Sequence, residues 1–175
     1  MTLHELVCKS PKIGVFGSDA THCTELAKAT AYEVGRLLAQ RGCIIFTGGG
    51  GGVMEAASRA AVECKGLTVA VSPWDKPRDS NNYYSLCIPT GIGFARGQVL
   101  ANSVDGAIVI EGGLGTHGEA GLMYWLQKPT VAIRTSGGVA AKIAGRSLDN
   151  RNLPPILSAD TPEEAVNLLL SRLEK

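Results

Sequence analysis

Residues 105–126 read DGAIVIEGGLGTHGEAGLMYWL. The apolar run Gly106-Ala107-Ile108-Val109-Ile110 lacks alternation, as expected of a strand buried on both faces. It breaks into Glu111-Gly112-Gly113-Leu114-Gly115-Thr116, and an apolar-periodic run from about Gly118 predicts a helix. Strand, glycine turn and helix start together gather free backbone N–H groups and the positive end of a helix dipole into one concavity. Such concavities bind anions, phosphate above all. This reading places Glu119 in the first helical turn, aimed at the contents of the turn.

The same unit recurs on both sides. Residues 12–16 form a first strand that ends at Gly17-Ser18, and a helix over residues 24–41 follows, capped by Thr24 or Thr21, with Leu26, Ala29, Ala31, Val34, Leu37 and Leu38 as its buried stripe. Residues 43–47 are a second strand, running into five glycines, Gly48, Gly49, Gly50, Gly51 and Gly52, and then into an alanine-rich helix over 53–64. Residues 68–72 and 130–133 are further buried strands, 85–89 a short fourth strand and 155–157 an edge strand. A helix over 94–103 precedes the central strand, and Thr161-Pro162-Glu163-Glu164 opens a last one carrying Ala165, Val166, Leu168, Leu169 and Leu173. Residues 74–84 read as a polar surface loop, and 134–153, rich in Gly, Ser and Arg, as a lid or a loop.

Alternating strands and helices predict an α/β fold: one domain over residues 1–175, a Rossmann-like, doubly wound parallel sheet with helices on both faces. Ligands of such sheets sit beyond the carboxyl ends of the strands. Three glycine turns fall there: Gly17-Ser18, Gly48 to Gly51, and Gly112, Gly113, Gly115 with Thr116. These are the candidate phosphate-binding residues. Neither later turn fits a better-known motif, since no Lys-Ser or Lys-Thr follows the glycines and no acid ends the next strand.

Composition narrows the function. A net charge of +1 gives no bulk attraction to nucleic acid or anionic membrane, so neither is an expected partner. The five cysteines form no CxxC pair, which argues against a disulfide framework or a zinc site and for a reducing cytoplasm. No apolar run approaches the ~18 residues of a membrane span, and the start lacks the pattern of a signal peptide. No metal site and no resident cofactor are expected.

Individual side chains leave two readings open. Arg96 is a solvated surface residue or a phosphate clamp and partner of Glu119. Glu119 is favourable first-turn charge or a working carboxylate. His117 reads as an exposed turn histidine, and His22-Cys23 as a poor thiol–imidazole pair because adjacent residues seldom face each other. Trp74, Tyr83 and Tyr84 are an aromatic wall or mere loop packing.

At these residues the chain resembles the Lonely Guy (LOG) superfamily, often mislabelled as lysine decarboxylases. The family hallmark PGGxGTxxE corresponds to Glu111-Gly112-Gly113-Leu114-Gly115-Thr116-His117-Gly118-Glu119, and its GGGxxGxM pattern to Gly48 through Met54. The resemblance runs from about residue 12 to 133. It implies a phosphoribohydrolase that cleaves the N-glycosidic bond of a nucleoside 5′-monophosphate, with Arg96 and Glu119 catalytic and the glycines and Thr116 on the phosphate. It also implies a homo-oligomer, dimer or tetramer, for which the apolar helix Leu122-Met123-Tyr124-Trp125-Leu126 offers a face. Three departures stand out: Glu111 replaces the motif proline, Gly97 a lysine, and Gly118 a glutamate. With them the chain is similar to the branch holding molybdenum-cofactor carrier proteins, which implies a non-catalytic carrier or sensor of a phosphorylated heterocycle. Lysine decarboxylation is rejected, since it normally needs pyridoxal phosphate on a lysine and these motifs contain none.

Overall fold

The computed structural model describes residues 7–174, except for the side chain of Arg78. Seven strands form one sheet in the order β4-β3-β2-β1-β5-β6-β7, every neighbouring pair parallel. The strands are β1 (Lys12–Gly17), β2 (Ile44–Thr47), β3 (Leu67–Ser72), β4 (Leu86–Pro89), β5 (Gly106–Ile110), β6 (Thr130–Ile133) and β7 (Leu157–Ala159). The helices are α1 (Glu25–Gln40), α2 (Val53–Glu63), α3 (Arg96–Ser103), α4 (Leu114–Trp125), α5 (Gly138–Ile143) and α6 (Pro162–Leu173). The expected doubly wound α/β architecture is therefore present, with the edge strand two residues later than its expected start.

Side-chain alternation along the central strands divides the core into two layers. Ile13 and Val15 of β1, with Ile108 and Ile110 of β5, meet Ala27, Ala31, Val34 and Leu38 of α1, Ala57 and Ala61 of α2, and Leu169 of α6. Phe16, Ala107 and Val109 point the other way, onto Leu100 of α3, Ala120 and Met123 of α4, and Ala140 and Ile143 of α5. Burial on both faces explains why these strands read as unbroken apolar runs. On α1 the real stripe is one residue out of phase with the sequence expectation at its start. Ala27 is buried whereas Leu26 is 61% exposed, because only the 27, 31, 34, 38 spacing keeps one helix face on the sheet. The helix also carries Gly35 against the Ala57 carbonyl of α2, a closeness that no Cβ would permit. Thr24 caps α1, its side chain accepting from the Ala27 N–H.

The sheet order reverses at β1. The chain winds from β1 to β4 on one side and resumes with β5 on the other, so the carboxyl ends of β1 and β5 flank the switch point. Their register places Gly17 beside Ile110, which sets Ser18 and the Glu111-Gly112 turn side by side. Residues 134–144 are no lid. The N–H groups of Val139 and Ala140 donate to the Gly112 and Glu111 carbonyls at 2.9 Å, and Ala140 and Ile143 are core residues, so α5 supports the turn from behind. The face of α4 expected to serve self-association is mostly internal too: Met123 and Tyr124 are buried, and Trp125, exposed, lies under the Arg151 guanidinium at 4.5 Å. No helix among the described residues is long and apolar enough to cross a membrane.

Candidate functional site

A cavity of about 830 Å³ opens at the switch point. Gly17, Ser18, Asp19 and His22 line it from the end of β1, Gly113 to Thr116 from the start of α4, and Arg96 and Glu119 from its depth. Met54, Phe94 and Leu122 add apolar wall.

One end of the cavity is built from backbone. α4 begins at Leu114, four residues before the expected Gly118, with Gly113 as N-cap and no side-chain cap. The earlier start follows from the turn below it. Glu111 and Gly112 take up left-handed φ angles of 51° and 90°, and the Cβ of any other residue at 112 would lie 2.5 Å from the Thr116 side chain. The chain thus enters the helix as soon as the turn is complete. Within that turn the Gly112 N–H is already used, donating to Ser18 Oγ at 2.9 Å, and the Glu111 N–H donates to Ser136 Oγ at 2.7 Å. Ser18 therefore positions the turn, and the first turn of α4, with no side-chain cap, faces the cavity, an arrangement that suits an anion. Thr116 is buried against Gly112.

Glu119 lies in the second turn of α4, not the first, which removes the helix-dipole reading of its charge. It turns inward to Arg96, the first residue of α3, with Nη1 2.5 Å from Oε1. The two side chains are only 15% and 12% exposed. Burial pushes the Glu119 carboxyl upward, and the charge and hydrogen bond of Arg96 pull it partly back. Arg96 is held from the other side by Gly48, where a Cβ would sit 2.7 Å from the guanidinium carbon. Gly48 thus leaves room for the guanidinium.

The rest of the Gly48–Gly52 run does not open onto the cavity. The Gly49 N–H donates to Thr47 Oγ1 at 3.1 Å, Gly49 O accepts from the Asn81 N–H at 2.7 Å, and Gly50 O accepts from Asn81 Nδ2 at 2.8 Å. The turn thus anchors the loop at Asn81 through the Gly49 and Gly50 carbonyls. Glu111 is also placed differently from its expected position beside the phosphate. Its carboxylate faces α1, accepting the Thr24 N–H at 3.3–3.4 Å, where it meets the positive end of that helix.

His22 and Asp19 form an exposed pair at the rim, 3.3 Å apart. Burial would raise the Asp19 carboxyl, but the Thr21 N–H and His22 outweigh it and hold it low. Cys23 makes no pair with His22; its thiol donates to Thr24 O, and burial followed by the Glu111 charge pushes it up, away from nucleophilic reactivity. His117 is exposed on α4, as expected. Trp74, Tyr83 and Tyr84 lie outside the cavity lining, so the apolar wall is Met54, Phe94 and Leu122 instead. No sequence signal marks these three as a cavity wall, because isolated apolar residues look like core. Among the described residues no cluster of His, Cys, Asp and Glu could hold a metal ion.

The model of the SLOG cluster4 family matches residues 10–166. The chain belongs to that family. Its fold is similar to that of the structural-genomics protein TM1055 (TM-score 0.85, 33% identity, 92% of this chain and 99% of that one). It is similar also to the molybdenum cofactor carrier protein of Chlamydomonas reinhardtii (TM-score 0.83, 30% identity, 95% and 100%). The molybdenum cofactor binding protein of Rippkaea orientalis is a further match (TM-score 0.77, 28% identity, 94% and 98%). For this SLOG protein the family expected from the glycine motifs, and the α/β fold expected from the alternation of strands and helices, therefore hold.

Proposed function

We propose that this SLOG protein is a non-catalytic carrier of a phosphorylated flat heterocycle of the molybdenum-cofactor type. The observation that carries the reading is the pairing of an uncapped α4 N-terminus with a neighbouring guanidinium in one cavity. Helix N–H groups and Arg96 supply two forms of positive potential, and a phosphate monoester carries about −1.5 to −2 at neutral pH. Met54, Phe94 and Leu122 offer apolar surface to the ring. Likeness along nearly the whole chain to two proteins named for binding or carrying the molybdenum cofactor supports the same cargo.

The carboxylates favour carriage over cleavage. Glycoside hydrolysis needs a carboxylate free to stabilise an oxocarbenium-like centre or to activate water. Glu119 is engaged by Arg96, and Glu111 faces α1. One observation favours the phosphoribohydrolase reading: burial raises the Glu119 carboxyl, as suits an acid or base working near neutral pH.

Both readings meet in a single experiment. The protein is incubated with a pterin monophosphate and with AMP and other nucleoside monophosphates, following binding by calorimetry and release of free base and ribose 5-phosphate by chromatography. Saturable binding with no release is expected. Turnover that disappears in Glu119→Gln would replace the carrier by the hydrolase.

A further inference from the structure

The mouth of the cavity carries an aromatic ring that phosphate binding does not explain. Phe94 lies in a 3₁₀ turn, Gly93–Ala95, immediately before Arg96, and is 71% exposed. Its ring has a defined neighbour. A Cβ placed on Gly115 would lie 3.4 Å from its Cε2, and one on Gly118 would lie 3.5 Å from Cε1 and Cζ. The ring therefore lies over a strip of α4 where Gly115 and Gly118 carry no side chain, at a distance that an added methyl group would just fill. The approach to the turn is fixed as well, since Gly91 and Gly93 both adopt positive φ, 65° and 57°, which side chains other than glycine seldom tolerate. One part of the ring is backed by the helix and the remainder is open. Arg96, two residues on, lines the same cavity.

We infer that Phe94 is a specificity-determining platform on which the planar heterocycle of the ligand stacks while its phosphate occupies the start of α4. This rests on the reading that the cavity takes a phosphorylated ligand, and adds what selects among such ligands. Every flat heterocycle presents a π face, so an aromatic platform accepts pterins and purines alike. A sugar phosphate or inorganic phosphate has no such face and gains nothing. Gly118, where the LOG hallmark often has a glutamate, acquires a role here: it leaves room for the ring.

The test uses the full chain and two probes, a pterin monophosphate and ribose 5-phosphate, with calorimetry and sedimentation velocity in parallel. Wild-type protein is expected to prefer the pterin monophosphate by tenfold or more. Phe94→Ala, at an exposed position, should remove most of that preference by weakening the pterin arm about tenfold while leaving the ribose 5-phosphate arm unchanged. Phe94→Trp should keep the preference, with indole fluorescence quenched as the pterin binds. Equal losses on both probes, or no loss on either, would overturn the platform. So would a Phe94→Ala variant that dissociates an oligomer but keeps its selectivity, which would make the ring part of a self-association surface. Wild-type protein that binds ribose 5-phosphate and pterin monophosphate equally removes the platform alone, whereas binding of neither removes the phosphorylated-ligand reading with it.

Discussion

The two glycine-rich turns of this molecule look alike in sequence and differ in what their backbones have left to give. In the run from Gly48 to Gly52, Thr47 and Asn81 occupy the polar groups of Gly49 and Gly50, and Gly52 packs against Ser18 and Asp19. In the turn from Glu111 to Gly115, Ser18 and Ser136 take two N–H groups, and the first turn of α4 stays uncapped and faces a cavity. Glycine density marks where backbone must approach something closely. Whether that something is a ligand or the protein itself depends on which N–H and C=O groups are already satisfied.

The largest expected effect tests that division directly. Gly52 has φ 67° and ψ −125°, and a Cβ there would lie 2.5 Å from Ser18 O and 2.7 Å from Asp19 O. Gly52→Ala should lower stability by about 3–5 kcal/mol, from backbone strain and overpacking combined. At Gly113 φ is −115° and a Cβ would meet nothing within 4 Å. Gly113→Ala should cost less than about 1 kcal/mol in urea unfolding yet weaken binding of a phosphorylated ligand, because the methyl intrudes on the open end. Equal stability losses in the two variants would erase the contrast.

Arg96→Ala should come next, with about a hundredfold loss of affinity for a pterin monophosphate, close to 2.7 kcal/mol. The variant also leaves Glu119 unpaired in a largely buried position. Because that pair keeps some contact with solvent, the stability cost should be about 1–3 kcal/mol. The double variant Arg96→Ala with Glu119→Gln should regain most of the stability and none of the affinity. Recovery of affinity would show that Arg96 is structural.

Much of the architecture was legible, for a physical reason. Strands buried on both faces, such as 106–110, need continuous apolar residues, and parallel neighbours need helices between them, so the alternation of elements shows in the sequence. The phase of α1 was not, because Leu26, Ala27, Ala29 and Ala31 all suit an apolar stripe and only the sheet selects among them. In the site, Gly17, Ser18, Gly113, Gly115 and Thr116 come together with Arg96 and Glu119 as expected. Their pairing partners were hidden: Ser18 Oγ meets the Gly112 N–H across 94 positions of sequence, and no local pattern reports such a bond. The return of Asn81 onto the Gly49 and Gly50 carbonyls was equally hidden, because a glycine run carries no sign of it.

A smaller effect concerns Glu119 and pH. Burial raises this carboxyl, so the folded state favours its protonated form. That stabilisation is complete below the ordinary carboxylate value and is lost as pH rises through the raised folded value. Once ionised, the group is held by Arg96, and a phosphate must compete for the same guanidinium. Glu119→Gln should therefore tighten pterin monophosphate binding about tenfold above the raised folded value, where the wild-type carboxyl is ionised, close to 1.4 kcal/mol. The gain should shrink as pH falls through the raised folded value, where the wild-type group becomes neutral too. The second ionisation of the phosphate, near pH 6, acts on both proteins alike and cancels in their ratio. Weaker binding by Glu119→Gln at every pH would show that the carboxylate orients Arg96 rather than competing for it.

The smallest effect separates a charge near the site from a charge in it. By sequence, Glu111 stands beside the phosphate turn and should repel an anion. In the fold its carboxylate receives the Thr24 N–H at the start of α1, and its backbone alone shapes the turn. Glu111→Gln keeps an acceptor for that N–H and loses only the charge opposite the α1 dipole, worth about 0.5–1 kcal/mol. Ligand affinity should stay within about twofold of wild type, whereas Glu119→Gln shifts it tenfold, although both variants remove one negative charge from the same end of the sheet. Cys23 offers an independent reading. Burial is the main reason its thiol is raised, with the Glu111 charge second, so thiol titration of Glu111→Gln should reveal a modest fall and no more. A large gain in ligand affinity from Glu111→Gln would mean that the Glu111 charge reaches the anion after all, and that the turn is open on both sides.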